Sequence, residues 1–300
     1  MIRRHPLGVF FALAYLISWL LWAPLWLPAL TGAAVLPALP MQHALGGLGP
    51  LCAALLVAEI EGEGRGARDL LRRMVAWRGR LPWVAVGLLG PLAVLGIAML
   101  SVRLAGGDPV PPGYLAASGT GTNPADLAST FAYNLLWFGF GEEAGWRGFA
   151  LPRLQGRHSA LAATLMLTVG WALWHLPLFL YRPEYVEMGP AGAAGWLLSL
   201  ATGAVLLTWL YNGSRGSLLV VALFHASTNV AFTSGLATGP ATGVAGALIM
   251  AWGLGVLLLT GPRCLSRAGK VVPARGRPGT VFVECVGRGR ARPESEGALE

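Results

Sequence analysis

Residues 131–149 read FAYNLLWFGFGEEAGWRGF, and Glu142 and Glu143 stand side by side at the end of an almost wholly apolar run. On a soluble protein such a pair would mark a solvated helix face. Inside a membrane span it would be costly and would need a reason. The rest of the chain decides between the two. Of its 300 residues, 55% are hydrophobic and only 12% charged, with a mean hydropathy of +0.59; a soluble domain carries about a quarter charged residues. The apolar residues also fall in blocks of about 20, the length that crosses a bilayer as a helix. The expected fold is therefore an all-α, polytopic membrane helix bundle of about eight transmembrane helices. The spans are placed at 7–27, 43–60, 81–101, 128–146, 159–181, 191–211, 217–236 and 241–260. The first follows Arg3, Arg4 and His5 but is too long, and lacks a small-x-small site, for a cleaved signal; it reads as an anchor.

The net charge of +8 would suit nucleic acid, but the placement of the basic residues says otherwise. With the N-terminus inside, 20 of the 22 Lys and Arg fall in cytoplasmic segments, and only Arg103 and Arg182 fall outside. The positive-inside rule then predicts both termini cytoplasmic. The surplus charge is matched to anionic lipid, so membrane lipid is an expected partner and nucleic acid is not. A multi-pass location in the plasma membrane follows. The 21 Arg against one Lys point to a GC-rich, bacterial source.

Residues 1–262 are expected to form one transmembrane domain, with a motif core at 128–236. The tail 263–300 is Arg/Gly/Pro-rich and is expected to be mostly disordered, because it buries too little to offset its ordering entropy; Thr280–Val286 is its one strand-like run. Residues 61–80 place Leu70, Leu71, Met74, Val75 and Trp77 among arginines at helical spacing, as in an interfacial amphipathic helix. The Gly/Pro/Ser/Thr-rich loop from Ala105 to Asn123 should be irregular. Gly141 with Gly145, and Gly49 with Ala53, are spaced for close helix packing. Cys52, Cys264 and Cys285 are scattered without C-x-x-C spacing, which argues against a disulfide framework or a thiolate metal site.

Four ionisable residues then remain within the spans: Glu142, Glu143, His175 and His225. A charge at mid-bilayer costs roughly 2.5–3.5 kcal/mol on insertion scales, so such residues are functional by default. Glu143 and Arg147 are four apart in the order that favours a helix ion pair. Glu142 is turned about 100° away and keeps a carboxylate free to act as a general base toward water. Trp171 and His175 share one helix face, and His225 and Asn229 share another. Three helices thus offer a base, an imidazole and donors for an oxyanion. Glu142, His175 and His225 are equally a two-histidine, one-glutamate metal set, as for zinc. Asn229 alone would serve as interhelical glue, and His5, His43 and His158 at span ends read as packing residues.

Glu142-Glu143-x-x-x-Arg147, Trp171-x-x-x-His175 and His225-x-x-x-Asn229 resemble, in order and spacing, the three motifs of the CPBP family, the type II CAAX prenyl endopeptidase and bacteriocin-processing intramembrane proteases. The resemblance covers about residues 128–236. It departs at Trp171, where the family pattern more often has Phe. It implies that Glu142 with His175 activates a water, and that His225 and Asn229 steady the oxyanion. It also implies a protein or peptide substrate, such as a lipidated peptide or a leader peptide. Both metal-dependent and metal-free forms of the chemistry are open; Asn229, a better oxyanion donor than zinc ligand, favours the metal-free one. No H-E-x-x-H, intramembrane aspartate or G-x-S-x-G supports another protease class. A proton-coupled transporter using Glu142, and a non-catalytic immunity or scaffold protein of the same fold, stay open as alternatives. One geometric demand follows. His175 lies about 18 residues, roughly 27 Å, along a helix from Arg157, so the three motifs meet only if the fourth span continues past Arg147 or the fifth starts later, tilts or kinks, as at Pro177.

Overall fold

The computed structural model describes residues 4–62, 65–110, 124–233, 239–274 and 279–285. Lipid offers backbone groups no partners, so apolar runs of this length satisfy themselves as helices. Among the described residues six stretches are long and apolar enough to span: Pro6–Thr31 (α1), Gln42–Glu61, Leu81–Leu104, Ala160–Tyr181, Gly189–Gly213 and Pro240–Thr260. The second comprises α2 (Gln42–Gly47) and α3 (Gly49–Glu61), and the short α4 (Gly66–Met74) follows it before α5 (Leu81–Leu104). Two further stretches fall where spans were expected. One is an interrupted helix from Pro124 to Gln155, and the other is the shorter Leu218–Thr233. Leu20, Leu89, Ile97, Val169 and Leu258 stand exposed on the long helices, as lipid-facing side chains do. The fold class read from sequence is an all-α membrane bundle, and the structure has it.

The interrupted helix sits at the centre. It runs as α6 (Pro124–Asn134), a π-helical segment Leu135–Phe140, α7 (Gly141–Gly145), a second π-helical segment Trp146–Ala150, and α8 (Leu151–Gln155). Three of its glycines let neighbours approach where no side chain would fit. A Cβ on Gly139 would lie 2.7 Å from the Ala222 carbonyl oxygen, one on Gly141 2.8 Å from that of Gly47, and one on Gly145 2.5 Å from the Pro50 Cβ. Gly141 and Gly145 are the packing positions expected from their spacing.

The next span is itself divided. α9 (Ala160–Trp174) begins at Ser159, whose hydroxyl caps the Ala162 N–H at 3.2 Å, and it ends one residue before His175. There the bonds tighten: the His175 N–H reaches Ala172 O and the Leu176 N–H reaches Leu173 O. Pro177, which has no N–H to give, precedes α10 (Leu178–Tyr181). The short α11 (Pro183–Val186) then leads to α12 (Gly189–Gly213), α13 (Leu218–Thr233) and α14 (Pro240–Thr260). The glutamate helix thus takes the first route to convergence, continuing past Arg147 to Gln155, while the break at Pro177 lies just beyond His175.

Three expectations are corrected. The amphipathic segment forms a helix only over Gly66–Met74, with Leu70 buried while Leu71, Val75 and Trp77 are exposed. The tail is more ordered than its composition suggests, for β1 (Gly269–Pro273) and β2 (Thr280–Glu284) pair antiparallel and dock on the bundle. The cause is a buried amide network. Gln155 Nε2 donates to Val271 O (2.9 Å) and Asn212 Oδ1 (3.1 Å), while Asn212 Nδ2 donates to Gln155 Oε1 and Cys264 O (both 2.8 Å). The Lys270 amine donates to the carbonyls of Gln155 and His158 at the end of α8, where a helix favours a cation. Finally, the hairpin brings Cys264 and Cys285 side by side, with Cα atoms 6.4 Å apart, within the reach of a disulfide. Sequence separation alone could not show that pairing. Most of the loop expected to be irregular, 111–123, and the tail beyond Cys285 lie outside the described residues.

Candidate active site

Glu142 and Glu143 occupy the single α-helical turn between the two π-helical segments, and both are buried. π turns carry i→i+5 bonds and recur at functional sites. Neither carboxylate faces the lipid.

Glu143 is the structural member of the pair. Its side chain and that of Arg147 are both 0% exposed, and Arg147 Nη1 donates to Glu143 Oε1 at 2.9 Å, as the four-residue spacing predicted. The same oxygen also accepts from His225 Nδ1 at 2.8 Å, across 82 residues of sequence. Sequence reasoning missed this second bond. It fixes the histidine: Nδ1 carries the proton given to the carboxylate, which leaves Nε2 as the nitrogen available to a reacting group. Asn229 lies one turn further along α13, partly buried on the same face.

Glu142 is bound differently from the wholly free carboxylate expected. Trp171 Nε1 donates to its Oε2 at 2.8 Å, which orients the carboxylate and still leaves it lone pairs for a substrate or water. Trp171 is more than packing: besides this bond, its carbonyl accepts from His175 Nδ1 at 2.7 Å and its ring lies 4.5 Å from the Arg147 guanidinium carbon. The ring centroids of His175 and His225 stand 5.7 and 6.1 Å from that of the indole. Because a carbonyl can only accept, His175 Nδ1 is the protonated nitrogen and its Nε2 is again the free one. Both imidazoles thus have Nδ1 engaged and Nε2 uncommitted beside one tryptophan that grips Glu142. The departure from the commoner Phe at position 171 was the one sequence signal for this arrangement.

An aromatic wall backs His175. Trp174 and Trp196 stand edge-on at 5.0 and 5.6 Å between centroids, and Tyr185 stacks at 6.3 Å. Burial pushes the Tyr185 hydroxyl up to about 12, so it stands as a neutral donor. Neither Tyr185 nor Trp196 had a signature in sequence.

Glu143 Oε2 and Arg147 Nε and Nη2 are buried with no hydrogen-bond partner among the described residues. Buried polar atoms of this kind are ordinarily satisfied by ordered water. Among the described residues no three His, Cys, Asp or Glu side chains are grouped to hold an ion. Glu142, His175 and His225 are the residues that would hold one.

The tryptophan offers a test. Phenylalanine at 171 keeps an aromatic ring but removes the N–H together with part of the indole's bulk. A hydrogen bond to a charged group contributes about 1.5–3 kcal/mol, so Trp171→Phe is expected to lower kcat about tenfold or more with KM little changed. Steady-state hydrolysis by wild type and variant checks this, with thermal unfolding to show that the fold is kept.

Fold and site together define a helical membrane protein with buried glutamates and two histidines gathered among its central helices. Comparison with known proteins is consistent with that class: residues 124–231 match the family described as "Type II CAAX prenyl endopeptidase Rce1-like". Over 93 residues the chain is 31% identical to the CAAX prenyl protease 2 of Methanococcus maripaludis, an alignment covering 30% of this chain and 34% of that protein. The chain thus spans about a third of the length of this curated relative. These matches bear out the CPBP-family resemblance carried by the three motifs, all of which begin within the matched segment.

Proposed function

We propose that this protein is an intramembrane endopeptidase that hydrolyses a peptide bond with a water activated by Glu142 and His175. The observation that carries the reading is the gathering of Glu142, His175 and His225 around Trp171, whose N–H holds Glu142 and whose ring lies beside both imidazoles. Glu142 takes a proton from the water as its oxygen attacks the carbonyl carbon. The tetrahedral oxyanion is steadied by donors from Asn229 and from His225 in its doubly protonated form, and Glu143 is placed to balance that ring's charge, as a carboxylate does behind a catalytic histidine. The C–N bond then breaks and the amine leaves with a proton returned from the site. Both termini lie on the cytosolic side in this reading, and the substrate is a protein or peptide of that side, lipidated or a leader sequence.

The test is direct. Full-length protein in lipid is incubated with a prenylated CAAX peptide and with leader peptides, and fragments are identified by mass spectrometry. Cleavage at one bond supports the proposal; no cleavage, with proton-linked solute uptake in its place, would favour a transporter. A second outcome concerns the metal. Because no three-ligand group is assembled, prolonged treatment with a strong chelator is expected to leave kcat within about twofold, whereas removing a catalytic zinc would remove the Lewis acid and nearly all activity.

A further inference from the structure

The short α4 has two faces with different tasks. Its inner face is fastened to the glutamate helix. Leu70 is buried against Gly148, where a Cβ on the glycine would come within 2.6 Å of the leucine Cδ1. Arg73 Nη2 donates to the Gly148 carbonyl at 3.0 Å and Nη1 to the Tyr211 hydroxyl at 2.9 Å, while Nε pairs with Asp69. Gly148 lies in the second π-helical segment, six residues beyond Glu142. The outer face is unlike this. On α4 and the turn that follows it, Leu71 (49%), Val75 (68%) and Trp77 (48%) are exposed, and Arg68, Arg72 and Arg78 stand exposed beside them. Among the described residues no salt bridge joins these three arginines to a carboxylate, and Asp69, the one acidic residue from Gly66 to Arg80, is committed to Arg73. A row of apolar side chains flanked by cations, with a tryptophan at its end, is complementary to the headgroup layer of an anionic leaflet.

We propose that the outer face of α4 docks on the phosphate headgroups of anionic phospholipid, and that this docking seats the glutamate helix through Arg73. The docking is independent of the peptidase reading. Its effect on hydrolysis rests on that reading.

The experiment has two readouts on the full-length protein. In micelles, quenching of Trp77 by brominated phosphatidylglycerol or brominated phosphatidylcholine is obtained as the difference between wild type and Trp77→Phe. Phosphatidylglycerol is expected to quench at the lower lipid fraction, by about fivefold for each arginine engaged, and the preference should shrink in high salt. The double variant Arg68→Gln/Arg72→Gln should lose most of it. In nanodiscs, hydrolysis should be several-fold faster with phosphatidylglycerol present than in phosphatidylcholine alone, and the double variant should not respond. Equal quenching by the two lipids, or an unchanged preference in the double variant, overturns the docking. A clear preference with hydrolysis indifferent to lipid overturns the coupling through Arg73. Preference without hydrolysis in any lipid leaves docking standing and removes the peptidase reading.

Discussion

Glutamine in place of Glu142 is expected to lower peptide hydrolysis by about a thousandfold, within the range that one general base supplies, with the fold unchanged. The substitution is nearly isosteric. A glutamine carbonyl can still accept the Trp171 N–H that now goes to Glu142 Oε2. What it cannot do is take a proton from water with its remaining atom, which becomes an amide nitrogen. Structure and chemistry are thereby separated at one position. The measurement is kcat of the variant in nanodiscs beside its thermal unfolding midpoint. A variant that unfolds as wild type does yet retains hydrolysis within about tenfold would remove Glu142 from the reaction.

Arg147 should carry the largest effect on stability. Its guanidinium and the Glu143 carboxylate are fully buried and bonded to each other, and Glu143 also holds His225. Removing one member of a buried pair leaves the other charge uncompensated, at a cost of about 3–5 kcal/mol. Arg147→Met is therefore expected to unfold at much lower denaturant or temperature than wild type. Replacing both members by apolar residues of similar volume avoids that penalty and is often nearly neutral. The double variant Glu143→Leu/Arg147→Met should regain part of the lost stability, less the cost of about 1–3 kcal/mol for leaving His225 Nδ1 without its acceptor. It should not regain hydrolysis, because His225 Nδ1 then has no carboxylate to fix its tautomer. Recovery of both together would mean that Glu143 serves packing alone.

Much of this was legible in the residues. The helical stretches announce themselves because a bilayer demands runs of one length, and the structure puts helices within a few residues of most expected positions. The exception is the span expected at 128–146, which continues to Gln155. The candidate site residues drew notice because an ionisable group among apolar neighbours is too costly to be incidental. What stayed hidden depends on partners far along the chain. The spacing of Glu143 and Arg147 is local and could be read, whereas the bond from Glu143 to His225 arises only once α13 packs on the glutamate helix. Trp171 was seen as a ring, and its N–H mattered more. The hairpin was misjudged because composition measures how much apolar area a segment can bury. It does not show that Gln155 and Asn212 wait at the bundle's end for its backbone.

The wide turns on either side of Gly141–Gly145 also bear on how this chain can vary. Each inserts its residues at a smaller angular step than an ordinary helix, so the azimuth of both carboxylates depends on the number of residues in the flanks as much as on their kind. Losing or gaining a single residue between Leu135 and Phe140 would swing Glu142 out of phase with Trp171 while changing hydropathy hardly at all. Length, more than composition, is the quantity held under constraint in that segment.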